Sequence, residues 1–384
     1  MAPSALRNPD ELATAHRIIV KVGSSTLTGP DGNLDLPTLN RIVDVIAERW
    51  AAGTQVVLVS SGAISTATGP LGFTKRPRDL ATQQAAASVG QGLLLTRYSE
   101  AFACHNLHVG QVLLTLDDIV RRRHYTNAQR ALTRLLALGV VPIINENDTV
   151  ATDEIRFGDN DRLAALVSHL VKADALILVT DVDALYDRPP SRPGAQRISR
   201  VENLSEVEGI DVTGRTSGFG TGGMITKLES VRIATGSGLP VVLTNEANLA
   251  RAIVGESVGT WFAATGRRMP TRQLWIAYAA HPRGQLTLDE GAVAALVGRG
   301  KSLLPAGITA VSGTFDSGDV VELADSTGFV VARGVSTYSS RELPQLLGHS
   351  TAELRETKGR GWDRVAVHRD DMAVRPSLLS SSED

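Results

Sequence analysis

Residues 145–162 read NENDTVATDEIRFGDNDR, a polar segment between two apolar ones. The preceding run Val140–Ile144 predicts a buried strand, and the following run Leu163–Val171 predicts an amphipathic helix. Ligands of open α/β sheets bind beyond the carboxyl ends of strands, where loops of this kind meet helix N-termini. Single Asn and Asp residues commonly cap helices and form turns. Two clusters of them, one at each end of the segment, favour a binding site instead.

Strands alternate with helices on both sides of this segment. The other predicted strands are Arg17–Val22, Gln55–Ser60, Val109–Leu114, Ala175–Val179 and Val241–Thr244. The other predicted helices are Thr38–Ala52, Leu80–Cys104, Leu116–Leu138 and Met224–Thr235. Gly90 and Gly92 could interrupt the second of these helices. The alternation predicts an α/β fold with a mainly parallel sheet sandwiched by helices.

The pattern changes near Thr265, where Arg and Pro become frequent. Beyond it come a short helix, 291–298, and four short strands, 307–311, 319–323, 329–334 and 364–368. We therefore expect an α/β domain over residues 1–264, a linker over 265–281, a small β-rich domain over 282–372 and a polar tail over 373–384.

Composition limits the classes of protein to which the chain can belong. Its 384 residues suffice for two or three domains, and 42% are hydrophobic. The net charge of -2 argues against a general nucleic-acid or membrane-surface binder. The single cysteine, Cys104, excludes an intrachain disulfide bond and is most simply a small core residue. We see neither a signal peptide nor an apolar run near the roughly 20 residues of a spanning helix, so we expect a cytoplasmic protein.

Glycine-rich turns and lysines indicate phosphoryl transfer. The turn at Ser60–Ala63 can present backbone N–H groups to an anion, and the glycines of 218–223 let the backbone approach a phosphate. Lys21, at the end of a strand, and Lys227, early in a helix, would add positive charge. Taken alone, Lys21 is more simply a lysine that extends to water. The Walker and dinucleotide-binding patterns are both absent, so we expect a kinase of another architecture.

Six motifs carry a more specific resemblance. In chain order they are Lys21–Ser25, Ser60–Ile64, Ile144–Asp148, Gly158–Asp161, Thr180–Asp183 and Gly220–Lys227. Together they resemble the glutamate 5-kinases of the amino acid kinase family. Three later motifs, Asp289–Ala292, Ser302–Gly307 and His368–Met372, resemble the PUA domain that is attached to the bacterial members. The resemblance extends from about Ile18 to Met372, and only flanking positions such as Ala184 and Ile225 depart from the pattern.

This resemblance implies ATP-dependent phosphorylation of the L-glutamate side-chain carboxylate, the first step of proline biosynthesis, with Mg²⁺ bound with ATP. It assigns Lys21, Lys227 and Asp161 to catalysis, with Asp161 holding the two lysines. It assigns Ser61, Asp148 and Asn160 to glutamate binding, and we expect Asp148 to accept hydrogen bonds from the α-ammonium group. The implied nucleotide-binding residues are Lys21, Thr180, Asp181, Thr221, Gly222, Gly223, Met224, Ile225, Thr226 and Lys227. Residues Thr149–Gly158 then become a candidate flap over the amino acid.

Several alternatives remain open at this stage. Aspartate kinase, acetylglutamate kinase and uridylate kinase share the fold and the lysines, while the NEND and GDND motifs favour glutamate 5-kinase. PUA domains elsewhere bind RNA, but residues 282–384 carry 11 Lys/Arg and 14 Asp/Glu, a balance of 11 − 14 = −3 that makes nucleic acid a poor partner. An inactive amino-acid sensor is a third reading. The resemblance also implies a homotetramer and feedback inhibition by proline, a cyclised relative of glutamate.

Overall fold

A computed structural model of the chain describes residues 6–29, 32–73, 77, 79–115, 118–119, 122–150, 160–207, 209–210, 223–265, 273, 276–277, 282–359 and 361–374. The chain divides into two units, Met1–Arg268 and Met269–Asp384. Among the residues described, none of the helices is both long enough and apolar enough to span a membrane.

The first unit alternates strands and helices. Its strands are β1 Arg17–Val22, β2 Gln55–Ser60, β3 His108–Leu114, β4 Val140–Glu146, β5 Ala175–Thr180, β6 Leu185–Tyr186, β7 Arg197–Ile198, β8 Arg200–Val201, β9 Val241–Asn245 and β10 Thr260–Phe262. Its helices are α1 Ser24–Leu27, α2 Leu36–Ala51, α3 Ala63–Thr68, α4 Leu80–Ala103, α5 Arg122–Ala137, α6 Asn160–Leu170, α7 Met224–Gly236 and α8 Leu249–Ala252. All the strands predicted for this part of the chain are present.

Eight of these strands form one sheet in the order β3-β4-β2-β1-β5-β9-β10-β8. The pairs from β3 to β9 are all parallel, and β10 runs antiparallel to β9. The predicted mainly parallel α/β fold is therefore confirmed. From β1 the chain builds outward on one side through β2 and on the other side through β5. Such a reversal of strand order is where open α/β sheets bind ligands.

Alternation along β1 separates an apolar core from a functional face. Ile18, Val20 and Val22 belong to a core cluster that also contains Leu39 of α2 and Leu94 of α4. Each of these side chains is at most 1% exposed, and burial of such a side chain stabilises the fold by about 1.5–3 kcal/mol. Because successive residues of a strand point to opposite faces, the strand's lysine lies on the other side of the sheet.

Helix α4 is continuous from Leu80 to Ala103, so the interruption considered at Gly90 and Gly92 does not occur. The two glycines have different surroundings. A Cβ atom on Gly90 would lie 1.7 Å from the carbonyl oxygen of Ala63, the first residue of α3, whereas one on Gly92 would meet nothing within 4 Å. Gly90 is therefore needed for the close packing of α4 on α3, and its low helix propensity is outweighed by that contact.

The second unit is a β-rich fold of its own. Its strands are β11 Gly284–Leu288, β12 Ile308–Gly313, β13 Val320–Ala324, β14 Val330–Ser336 and β15 Val367–Val374, and its helices are α9 Glu290–Arg299 and α10 Thr351–Lys358. The sheet order is β12-β11-β13-β14-β15, with β11 and β13 parallel and the other pairs antiparallel. Apolar residues such as Leu286, Leu323 and Val331 form its core.

Three features of the second unit differ from the sequence predictions. The strand Gly284–Leu288 was not among the predicted strands. The last strand runs over Val367–Val374 rather than 364–368. The helix Thr351–Lys358 was not predicted, because its polar sequence carries little hydrophobic periodicity; its capping box at Ser350 and Glu353 was the available signal.

Candidate active site

The candidate site lies at the carboxyl-end edge of the large sheet. The parallel strands β1, β2, β4 and β5 all end at this edge, and polar residues occupy their ends: Lys21, Ser60, Asn145 and Thr180. All four side chains are buried, with residue exposures of 3%, 0%, 2% and 3%. Polar groups are rarely buried without partners, so each of these side chains needs a hydrogen-bond or ion-pair partner.

Two lysines and one aspartate form the centre of the candidate site. Asp161, the second residue of α6, contacts Lys21 of β1 and Lys227 of α7. The Lys21 Nζ atom lies 2.5 Å from Asp161 Oδ1, and the Lys227 Nζ atom lies 3.0 Å from Asp161 Oδ2. Each carboxylate oxygen therefore faces a different ammonium group. Asp161 and Lys227 lie 140 and 206 positions after Lys21 in the sequence (161 − 21 = 140 and 227 − 21 = 206). The three residues meet because the end of β1 and the starts of α6 and α7 lie close together.

This arrangement carries a net positive charge. Asp161 is fully buried, and burial alone would raise its pKa, but the charges of Lys21 and Lys227 and their hydrogen bonds outweigh that effect. The pKa of Asp161 is therefore held well below its usual range, and the carboxylate stays ionised. Two ammonium groups with one carboxylate leave one unit of positive charge in a site shielded from water. Such a charge attracts an anion far more strongly than it would in bulk solvent.

Helix α7 brings the second lysine to the site. Gly223 is the residue before the helix, and the Thr226 hydroxyl donates to its carbonyl oxygen at 2.9 Å. Arg162 Nη2 donates to Glu229 Oε2 at 2.6 Å and ties α6 to α7 beside the site. Met224, Ile225 and Thr226 lie in the first turn of α7, with Ile225 54% exposed. Thr221 and Gly222, which were also predicted to bind the nucleotide, fall outside the described residues.

Thr180 and Asp181 follow the strand next to β1. The buried Thr180 hydroxyl donates to Asp181 Oδ1 at 2.8 Å, while Asp181 itself is exposed. The pair therefore lies at the end of β5, on the side of the strand-order reversal opposite to β2. This placement is compatible with the nucleotide contacts predicted for them.

A second polar network surrounds Asn160. Its Nδ2 atom donates to Ser61 Oγ at 2.9 Å and to Asn145 Oδ1 at 2.8 Å, and lies 3.3 Å from the carbonyl oxygen of Ser60. Asn145 in turn donates through its own Nδ2 atom to Gln91 Oε1 at 2.6 Å. The structure thus places two predicted glutamate-binding residues, Ser61 and Asn160, in direct contact.

Sequence reasoning missed two residues of this network, Gln91 and Tyr98. Gln91 and Tyr98 come from α4, and Ser60 Oγ lies 2.9 Å from the Tyr98 hydroxyl. Burial raises the pKa of Tyr98, so its hydroxyl remains protonated. Only one weak signal was available in the sequence: Gln91 is a polar residue with a long side chain within an apolar helical stretch.

The turn between β2 and α3 is fixed by a glycine. Gly62 has a φ of +104°, in the left-handed region that residues with a Cβ rarely adopt. Its carbonyl oxygen accepts from Ser65 Oγ at 2.9 Å and from Thr66 Oγ1 at 2.8 Å. The turn therefore holds Ser61 at the edge of the sheet, beside Asn160.

Asp148, the third predicted glutamate-binding residue, lies in a turn directly after β4 and is partly buried. It follows Asn145 by three residues, so it lies at the same edge of the sheet. The predicted flap, Thr149–Gly158, is described only at Thr149 and Val150, and residues 151–159 lie outside the described part of the chain.

The donor set also bears on metal binding. Among the residues that the structure describes, no group of three or more His, Cys, Asp or Glu side chains is placed to hold a metal ion. Asp161 already contacts two ammonium groups. Mg²⁺ commonly binds through one or two carboxylates together with substrate phosphates, not in an all-protein cage. A divalent metal bound in this way needs few protein ligands.

Comparison with known proteins agrees with this geometry. Residues 16–245 match the amino acid kinase family, and residues 284–357 match the PUA domain. The chain belongs to the amino acid kinase family. Its predicted membership and its predicted class, a kinase with a C-terminal PUA domain, are confirmed.

Relatives within the amino acid kinase family narrow the comparison. A protein named glutamate 5-kinase from Streptomyces coelicolor is 55% identical over 361 residues, which cover 94% of this chain and 96% of the relative. A protein of the same name from Thermobifida fusca is 57% identical over 366 residues, which cover 95% and 94%. The same name is carried by a relative from Bifidobacterium adolescentis, 50% identical over 97% of this chain and 99% of its own. The resemblance to the glutamate 5-kinases therefore extends over both units.

Proposed function

We propose that this kinase transfers the γ-phosphoryl group of ATP to the side-chain carboxylate of L-glutamate, giving L-glutamyl 5-phosphate and ADP in the first step of proline biosynthesis. One observation carries the proposal. Two buried ammonium groups, those of Lys21 and Lys227, are held by Asp161 at the strand-order reversal of a parallel sheet. The high identity to proteins named glutamate 5-kinase supports glutamate as the acceptor.

The chemistry of this acceptor suits the site. A glutamate side chain has a reference pKa near 4.3, so it is already an anionic nucleophile at neutral pH and needs no general base. The barrier arises instead from repulsion between this carboxylate and the phosphates of ATP. Lys21 and Lys227 reduce that repulsion and stabilise the charge on the transferring group, an effect worth about 3–4 kcal/mol for a well-placed donor. Asp161 orients both lysines through one contact to each ammonium group.

The remaining residues of the site divide into those that bind glutamate and those that bind the nucleotide. Ser61, Asn160 and Asp148 bind glutamate, with Asp148 accepting from the α-ammonium group. Thr180, Asp181 and residues Thr221–Lys227 line the nucleotide site. Mg²⁺ bound with ATP would supply further positive charge to offset that of the phosphates.

The wider properties implied by the resemblance belong to the proposal as well. They are inhibition by proline at the glutamate site, a homotetramer and a cytoplasmic location. We also propose the domain limits expected from the sequence: a kinase domain over 1–264, a linker over 265–281, a PUA domain over 282–372 and a tail over 373–384. A flap over the amino acid at 149–158 completes the proposal.

The first experiment tests the reaction itself. The full chain is incubated with ATP and Mg²⁺ and with glutamate, aspartate or acetylglutamate in turn, and any acyl phosphate is trapped with hydroxylamine. We expect hydroxamate with glutamate well above the other two acceptors. A background signal with glutamate would refute the proposed function, and a stronger signal with another acceptor would reassign the substrate.

The second experiment tests the roles of single residues. Lys227→Met should lower kcat at least about a hundredfold, because the site loses one of the two positive charges that stabilise the transition state. Lys301→Met, an exposed lysine of the second unit, is the matched control and should leave kcat unchanged. Near-normal turnover of the Lys227 variant would contradict its role.

Asp148→Asn should raise the KM for glutamate much more than the KM for ATP, and equal effects would contradict its contact with the ammonium group.

A further inference from the structure

We infer that Gln91 is a positioning residue, which fixes the orientation of the Asn160 amide so that its carbonyl oxygen faces the substrate and accepts from the α-ammonium group. The inference deepens the proposed function and rests on it. Gln91 lies in α4, at some distance along the chain from every motif of the site, and is only 9% exposed. Its connection to the site runs through Asn145.

The polarity of this connection is set by the backbone. The Glu146 backbone N–H can only donate, and it donates to Asn145 Oδ1 at 2.9 Å. The other half of the Asn145 side chain is therefore its amino group, which donates to Gln91 Oε1 at 2.6 Å. With both ends defined, Asn145 cannot rotate its amide by half a turn without losing two hydrogen bonds in a buried site.

Asn145 then dictates the orientation of Asn160. Because Asn145 Oδ1 is an acceptor, the Asn160 atom 2.8 Å from it must be the amino nitrogen, which also donates to Ser61 Oγ at 2.9 Å. The Asn160 Oδ1 atom is consequently turned away from this network. It is buried and accepts no hydrogen bond from any residue in the described part of the chain.

An unpaired buried acceptor at this position indicates a ligand that donates. Leaving a buried acceptor without a partner is unfavourable, so its partner must come from outside these residues. Glutamate at neutral pH carries two carboxylates, which can only accept, and one α-ammonium group, which can only donate. The ammonium group is thus the part of glutamate that Asn160 Oδ1 can bind. Three N–H groups allow it to reach Asp148 as well.

The packing of α4 makes the contact from Gln91 possible. Gly90, the preceding residue, leaves no room for a Cβ atom against the carbonyl oxygen of Ala63. Helix α4 therefore lies directly on the start of α3, and the side chain of Gln91 can reach the end of β4. A larger residue at position 90 would move α4, and Gln91 with it, away from Asn145.

The test uses Gln91→Met, which keeps the length of the side chain and removes the acceptor. Asn145 then keeps its hydrogen bond from the Glu146 backbone but loses the one to Gln91. Its amide is held at one end only, so Asn145 and Asn160 can rotate and Asn160 can present an amino group to the substrate ammonium. We expect the KM for glutamate to rise about tenfold or more, with the KM for ATP within about twofold of the wild-type value. Gln129→Met is the matched control, because Gln129 Nε2 donates to the Leu170 carbonyl oxygen at 2.9 Å, away from this network. Its KM for glutamate should not change.

A substrate analogue distinguishes a lost orientation of Asn160 from an overall distortion of the glutamate site. Glutarate lacks the α-ammonium group, so its inhibition constant should be the same for the wild-type enzyme and for Gln91→Met. In an Asn160→Ala background, Gln91→Met should raise the KM for glutamate less than about twofold further, because Gln91 acts through Asn160. If the Met variant does not fold, Gln91→Glu retains an acceptor at the same position and should keep the KM for glutamate within about threefold of the wild-type value.

The outcomes are distinguishable. Absence of glutamate kinase activity in the wild-type protein refutes the proposed function, whatever the variants do. If the wild type is active, equal increases in the KM for glutamate and for ATP overturn the role of Gln91. Weaker binding of glutarate by the Met variant, multiplicative effects with Asn160→Ala, or a tenfold loss in Gln91→Glu overturn it as well.

Discussion

The two sheets of this kinase differ in whether they bury charged and polar side chains. In the first unit, Lys21, Asp161 and Lys227 are buried together at one edge of the sheet, with exposures of 3%, 1% and 8%. In the second unit, Ser336 is the one polar residue that is buried among those the structure describes. There the ion pair between Arg333 and Glu322 stays partly exposed, at 30% and 24%.

This difference indicates that the buried charges of the site lower the stability of the first unit. Removing a charge from water costs several kcal/mol, and a buried ion pair rarely recovers more than that amount. A buried cluster with a net positive charge therefore stabilises an anionic transition state at the expense of the folded protein. The second unit has no such cluster among its described residues, and its core is apolar. We expect single substitutions to have very different effects in the two units.

The largest expected effect is that of Asp161→Asn. The variant keeps the size of the side chain but leaves two buried ammonium groups without a counter-charge. The free energy of unfolding of the first unit should fall by about 3–5 kcal/mol. Hydrogen exchange of the β1 amides at increasing urea concentrations measures this unit separately. Unchanged protection of β1 would show that the carboxylate does not stabilise the lysines.

The next largest effect is expected for Gly90→Ala in α4. The added Cβ atom would lie 1.7 Å from a backbone oxygen, so one helix must shift, at a cost of about 1–3 kcal/mol. Gly92→Ala is the matched control and should stabilise the helix by up to about 1 kcal/mol, since nothing lies within 4 Å. Thermal unfolding compares the two variants. A similar Tm for both would contradict the close packing of α4 on α3.

The stability gap between the wild type and Asp161→Asn should depend on pH. Because the folded protein lowers the pKa of Asp161, its contribution is complete well above the ordinary pKa of about 3.9 and is lost as the pH falls towards the lower folded value. Below about pH 4 the gap should shrink by up to about 1.4 kcal/mol per pH unit. Urea unfolding of both proteins between pH 7 and pH 3 checks this. A gap that widens on acidification would reverse the assigned shift.

The smallest effect is expected in the second unit. Glu322→Gln removes an ion pair whose Arg333 Nη2 to Glu322 Oε1 distance is 2.9 Å, but both side chains remain in contact with water. The free energy of unfolding should change by less than about 1 kcal/mol. Hydrogen exchange of the β13 amides measures it. A loss as large as that for Asp161→Asn would remove the contrast between the two units.

Much of the fold could be predicted from hydrophobic pattern, but the short elements could not. The central strands were found because each is a continuous apolar run, as in Ala175–Thr180. Strands β8 and β10 have only two and three residues, too few to show a period, and are stabilised by pairing across the sheet. Gly90 suggested a break in a helix because local propensity disfavours glycine, whereas packing requires it there.

The candidate site was predicted only in part. Lys21, Asp161 and Lys227 were assigned through their motifs, and the structure brings these three residues into contact. Gln91 was not found, because a glutamine within a long helix has no local feature that shows what it contacts. Residues 151–159 and 211–222 lie outside the described part of the chain, so the expectations for the flap and for Thr221 and Gly222 stay predictions.

The order of residues along the chain was enough to predict the class of fold and to favour phosphoryl transfer. Apolar runs alternating with helices require a covered parallel sheet, and two lysines near glycine-rich turns favour the handling of phosphate. Which of these groups come into contact depends on how the chain folds. Parallel strands bring their carboxyl ends to one edge, so Lys21 and Asp161 become neighbours although 140 positions separate them (161 − 21 = 140). The orientation of the Asn160 amide depends in the same way on Gln91, because hydrogen bonds act over a few ångströms of space and not along the chain.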